Sequence, residues 1–206
     1  MSSPARAIRG EATDALGVRQ NARLTAVTGF VLVLLLGAEG VTVLRVGALI
    51  VPHLVIGTIL LAPVALKLGS TGWKIVRYYG HAPDYVRAGP PPIGRRLLAP
   101  VVIVTTIGLF GTGAALMVTG PANTGRMPFL HKAFFAVWFL ATALHVLLHV
   151  VRSLRSVSAE VTAPAADALP GRTGRAIALA ATLAAGVGLA AWSAPYLSAW
   201  ANAFHH

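Results

Sequence analysis

Apolar residues fall into five long runs, Leu24–Leu44, Gly47–Leu68, Leu97–Thr119, Phe129–Val151 and Ala176–Pro195, separated by shorter polar stretches. Each run holds roughly 20 residues, enough for a helix to cross a hydrocarbon core about 30 Å thick. The pattern predicts an all-α fold, an integral membrane bundle of four core transmembrane helices plus a fifth at the C-terminal end. The first run is too long, and lies too far behind a polar N-terminus, for a cleaved signal peptide, so it is expected to stay as a helix.

The polar stretches divide the chain. Residues 1–23 form a polar N-terminal segment, whose first twenty residues lack an apolar period and are expected to be mobile. Residues 24–151 form the four-helix core, 152–175 a linker, and 176–206 the fifth helix with its tail. In the connection 69–96, Trp73, Tyr78 and Tyr79 with Lys74 and Arg77 predict a short helix lying at headgroup level. Pro90, Pro91 and Pro92 predict an extended segment before the third span. The stretch 156–173, rich in Ser, Ala and Pro, reads as flexible. On the fifth helix, Ala180, Ala184, Gly188 and Ala191 offer a small-residue face for close packing.

Composition agrees with the pattern. The chain is 56% hydrophobic and 11% charged, against about 25% charged for soluble domains, and its mean hydropathy is +0.72. It has no cysteine, which excludes disulfides, thiolate metal sites, iron–sulfur clusters and cysteine nucleophiles. The formal charge of +11 belongs to topology and anionic headgroups rather than to nucleic acid.

The basic residues are distributed unevenly. Arg6, Arg9, Arg19 and Arg23 precede the first run. Lys67, Lys74, Arg77, Arg87, Arg95 and Arg96 lie in or beside the second connection, and Arg152, Arg155, Arg172 and Arg175 follow the fourth run. Only Arg45, Arg126 and Lys132 fall on the opposite side. The positive-inside rule then expects the N-terminus to be cytoplasmic and the C-terminus outside.

Ionisable residues within spans are costly and mark candidate sites. The fourth run carries His131, His145 and His149, and the second carries His53. At about 1.5 Å per residue, His53 and His131 both lie in the outer third of the core, with His145 roughly 21 Å deeper than His131. Fourteen residues at about 100° each bring His145 within about 40° of the face of His131. Two histidines at one depth on different helices are what a haem iron needs. Four-helix bundles hold cofactors in this way, from side chains on facing helices. His53 and His131 are therefore the candidate axial ligands of a haem. Gly108, Gly111 and Gly113 would leave room for the macrocycle, and Arg45, Arg126 and Lys132 are cations for its propionates.

The layout resembles the membrane cytochrome b subunits of bacterial formate dehydrogenases and nickel–iron hydrogenases. In that family a second-helix histidine and the first fourth-helix histidine hold an outer haem. A first-helix histidine and a fourth-helix histidine fourteen residues later hold an inner one. His53, His131 and His145 match three of these positions, and the first run here has no histidine. The resemblance implies an electron-transfer subunit of an oxidoreductase, exchanging electrons with quinone near the inner end and with a separate redox partner chain. With the inner ligand set incomplete, one haem per chain is expected. Lys67, fourteen residues after His53, and His81 are the groups a second haem would have to recruit.

His145 and His149, spaced by four, can chelate a metal ion or bind and deprotonate a quinol. Glu39 is the single carboxylate within a run. It would pair with Arg45 or Lys132, relay protons, or orient a histidine ring. Two other functions use the same residues. One is a small transporter or metal-handling protein with His and Glu as ion ligands, and the other is a structural membrane subunit whose histidines only join helices.

Overall fold

The computed structural model describes residues 4–89, 93–164 and 167–204, with side chains from residue 15 onward except that of Arg95. Among these residues there is no strand. The helices are α1 (Pro4–Leu44), α2 (Ile50–Tyr79), α3 (Pro83–Arg87), α4 (Ile93–Thr119), α5 (Met127–Thr162), α6 (Arg172–Trp192) and α7 (Ala194–Phe204), with a 3-10 turn at Pro121–Asn123. Five of them, α1, α2, α4, α5 and α6, are long and apolar enough to cross a membrane. Their outward faces carry large apolar side chains, such as Leu140 and Leu147 on α5 at 71% and 72% exposure. Water does not tolerate a continuous surface of this kind, and lipid does.

Packing follows chain order only in part. The α1 helix lies against α2 and α5, α5 against α4, and α6 against α2. Between α2 and α4 the contact is slight. The α6–α2 crossing is close because Gly186 has no side chain: a Cβ there would sit 2.4 Å from the Ile59 carbonyl oxygen. Gly186 and Ala190 are buried, whereas Ala180, Ala184, Gly188 and Ala191 are exposed, so the packing face of α6 is not the expected one. Pro63 and Pro100 sit inside α2 and α4. Each removes one backbone donor, which helices in apolar surroundings tolerate when neighbours re-satisfy the freed group.

One end of the bundle gathers the turn after α1, the 3-10 turn and α7. The other gathers α3, the turn before it and the α5–α6 connection. At this second end, polar groups tie α1 to α2. Asn21 donates to the Ser70 carbonyl at 3.1 Å, the Thr25 hydroxyl to the Ser70 hydroxyl at 2.9 Å, and the Lys67 ammonium to the Thr25 carbonyl at 2.5 Å.

Several connections are more ordered than the polar pattern predicts. The α1 helix begins at Pro4, about five turns before its apolar run. Residues 69–79 continue α2 rather than forming a separate surface helix. The α2 helix stops at Gly80 and His81. His81 takes φ +58, a left-handed conformation in which histidine is over-represented among non-glycine residues. Pro90–Pro92 lie outside the described residues.

The α5–α6 connection is pinned. Arg175, 8% exposed, donates from Nε and Nη2 to the two Glu160 oxygens at 2.9 and 3.0 Å, and also to the Pro170 and Leu169 carbonyls. Arg23 of α1 donates to the Ser156 carbonyl and lies 3.9 Å from Glu160. After α6 the chain turns at buried Ser193, whose hydroxyl donates to the Ala190 carbonyl at 2.9 Å. Pro195 has no amide to continue the α6 ladder, and α7 starts one residue before it, at Ala194.

Candidate functional site

His53 stands near the start of α2, His131 near the start of α5 and Glu39 near the end of α1, so all three reach one level at the same end of the bundle. The centres of the His53 and His131 rings lie 6.5 Å apart, with the ring planes at 80°. Two imidazoles sharing one metal hold it at about 2.0 Å through nitrogen, with each ring centre about 1.2 Å further back, giving about 6.4 Å between centres. Both planes can contain the metal–nitrogen axis at any mutual angle, so 80° fits as well as 0° would.

The hydrogen bonds around the rings fix which nitrogens remain free. His53 Nδ1 lies 2.7 Å from Glu39 Oε1 and 3.3 Å from the Thr42 hydroxyl. The shorter, charge-assisted contact takes the proton, so Nδ1–H donates to the carboxylate. His131 Nδ1 lies 3.1 Å from the Thr112 hydroxyl, which already donates to the Gly108 carbonyl at 2.7 Å. That hydroxyl can only accept, so His131 Nδ1 also carries the proton. Assigned from these networks, both rings keep an Nε2 lone pair, the arrangement in which a second nitrogen orients a metal-binding histidine.

Glycines shape the surroundings. A Cβ at Gly113 would lie 3.2 Å from His131 Cε1, and one at Gly57 3.5 Å from Glu39 Oε1. The first is tighter than ordinary contact, so Gly113 makes room for the ring, whereas the second is an ordinary van der Waals distance. Gly108 has another use, because Phe134 packs on it so closely that a Cβ would be 2.3 Å from the aromatic ring. Gly111 is exposed with nothing within 4 Å. Of the three α4 glycines expected to make room for a macrocycle, only Gly113 borders the histidine pair.

Of the cations at this end, Arg45 lies in the turn after α1, Arg126 caps the start of α5, and Lys132 follows His131; all three are exposed. Glu39 is directed at His53 rather than at Arg45 or Lys132.

His145 and His149 lie toward the other end. Their rings stack on each other at 4.4 Å and 24°, and His149 Nδ1 donates to the His145 carbonyl at 2.8 Å. Lys67 is close enough to His145 to act on it electrostatically. Its ammonium enters α1 at Gly29, where a Cβ would be only 2.7 Å from Nζ. His81 is exposed in the turn that ends α2. Among the described residues no three His, Cys, Asp or Glu side chains gather to hold a metal ion by themselves. A haem asks for only two.

Thr42 and Thr112 are the partners that spacing did not reveal. A transmembrane threonine ordinarily bonds a carbonyl of its own preceding turn, and both do so here. Only the neighbouring helix shows their second contact. No family model, curated protein or solved structure matches the chain.

Proposed function

We propose that the chain is a membrane b-type cytochrome carrying electrons between a quinone pool and a separate redox partner. The observation that carries this reading is the His53–His131 pair: ring centres 6.5 Å apart, with both Nδ1 protons engaged and both Nε2 atoms left to ligate. Haem b, when bound, supplies one-electron redox chemistry at an iron held between these two imidazoles. The protein's own part is to orient the rings through Glu39 and Thr112, to keep water from the core, and to present Arg45 and Arg126 near the propionate end. The resemblance to the cytochrome b subunits of formate dehydrogenases and hydrogenases supports the same assignment. In this reading α1, α2, α4 and α5 form the haem-bearing core and α6 is an added helix.

The histidine pair belongs to the outer leaflet, with the N-terminus cytoplasmic and the C-terminus outside; the basic residues of the connections support this orientation. His145, His149 and Lys67 then line the cytoplasmic half, where a quinol would find a proton acceptor in a histidine. A transporter or ion-handling reading draws on the same Glu39–His53 contact, and colour separates the two. Protein purified in detergent is expected to show a Soret band and, after dithionite, a sharp α-band. Colourless protein from haem-replete cells would overturn the cytochrome reading. C-terminal alkaline phosphatase and green fluorescent protein fusions test orientation, with the phosphatase expected active and the fluorescent fusion dark.

A further inference from the structure

The two rings differ in what takes their Nδ1 protons, and the difference is one of charge. His53 gives its proton to a carboxylate at 2.7 Å. His131 gives its proton to a neutral hydroxyl at 3.1 Å. Placing a carboxylate this deep costs free energy, and the structure holds it there from several sides. Glu39 is 13% exposed at its side chain. The Thr42 hydroxyl lies 3.1 Å from Oε2, and Oε1 lies beside Gly57 of α2. If Glu39 served only to join α1 to α2, a neutral donor–acceptor pair would do so at lower cost, as Asn21 and Ser70 do lower in the same interface.

We propose that Glu39 is a positioning residue that fixes a low reduction potential at the His53–His131 centre. This rests on the cytochrome reading above and extends it. A carboxylate accepting the Nδ1 proton makes the His53 imidazole a stronger donor through Nε2. Its negative charge, in a medium of low dielectric, also opposes arrival of an electron. Both effects favour the oxidised centre. Thr112 exerts neither charge effect on His131, so the asymmetry is carried by Glu39. Other charges at this level are those of exposed Arg45, Arg126 and Lys132, whose influence water and headgroups screen. A low potential suits a centre that passes electrons on toward quinone rather than one that accepts them from it.

The test is redox potentiometry of the purified holoprotein, following the α-band at one fixed pH, for wild type, Glu39→Gln, Glu39→Asp and Thr42→Val. Glu39→Gln is expected to keep the low-spin bis-imidazole spectrum and haem content while moving the midpoint to a more positive value. Glu39→Asp keeps the charge, and its midpoint is expected to stay closer to wild type than that of the glutamine variant. Thr42→Val loosens the carboxylate without removing it and should give a smaller positive shift, which keeps the proposal testable if Glu39→Gln does not insert. Haem-loaded Glu39→Gln with an unchanged or more negative midpoint would overturn the role of Glu39 while leaving the cytochrome reading intact. Failure of the wild-type protein to bind haem would overturn both.

Discussion

At one end of the bundle His131 meets His53 across the core, each ring held by a partner from another helix. At the other end His145 meets His149 from its own helix, and the charged group that α2 brings to this level is the ammonium of Lys67, which donates to the Thr25 carbonyl of α1. The two levels are built on the same register. His131 and His145 are fourteen residues apart, and so are His53 and Lys67. What differs is the α2 residue, a histidine at one level and a lysine at the other. A protonated lysine has no lone pair to give, and two histidines one turn apart approach from one side. Equal spacing on a helix therefore does not make equal sites. An iron needs opposed nitrogens, and among the described residues only the first level pairs histidines from different helices.

The strongest way to break this comparison is to remove histidines one at a time. His53→Ala and His131→Ala are each expected to abolish the low-spin b spectrum in protein that still inserts, whereas His145→Ala and His149→Ala should keep it. A pyridine haemochrome assay against quantitative amino-acid analysis should give one haem per chain in the wild type. Loss of the spectrum on removing His145, or a ratio near two, would place a haem at the second level.

A smaller effect is expected from Gly113. A Cβ at that position would come within 3.2 Å of His131 Cε1, and a leucine has no room to avoid the ring. Gly113→Leu should therefore lower haem content sharply without eliminating it, measured as the Soret-to-protein ratio. The matching change at Gly111, exposed and unobstructed, should have no effect on that ratio. Equal losses at both positions would show that the damage is to the helix and not to the site.

Thr112→Val is milder again, since it removes the Nδ1 partner of His131 and leaves the ligand. Loss of such an orienting contact typically weakens metal affinity by about 10- to 100-fold. Here the lower end of that range is expected, because the partner is a neutral hydroxyl at 3.1 Å. Haem transfer to apomyoglobin would measure it. Unchanged retention would mean that packing against Gly113 orients the ring without help.

Much of this contrast was readable in the sequence, for a definite reason. A membrane span must be long and apolar, and an ionisable residue within it stands out, so depth arithmetic alone brought His53 and His131 together. The carboxylate of Glu39 stood out in the same way, but its partner did not. Arg45, Lys132 and a histidine were equally reachable along the chain, and only the packing of α1 on α2 selects His53. The face of α6 was misread because an Ala- and Gly-rich helix has small residues on every side. Gly186 becomes the contact because α2 presents the Ile59 backbone there. The ordered α5–α6 connection was equally hidden, since Arg175 and Glu160 meet across a loop whose path no local pattern specifies.

The smallest expected effect sharpens the comparison most. Lys67 occupies the second-level position that corresponds to His53, and its ammonium donates to the Thr25 carbonyl at 2.5 Å with Gly29 making space for it. If the lysine is only a tie between α1 and α2, replacing it by methionine removes one charged donor and leaves a flexible apolar chain of similar length. The Thr25 carbonyl can return fully to its own helix, so the protein should insert and remain folded. Haem content, α-band position and stoichiometry should all match wild type. If Lys67 instead helps to hold a group at the second level, Lys67→Met will alter that group's signal or the quinol-dependent reduction rate while the first-level spectrum stays constant. A change in the haem spectrum itself would mean that the two levels are coupled, and that the second is more than a hydrogen-bonded anchor.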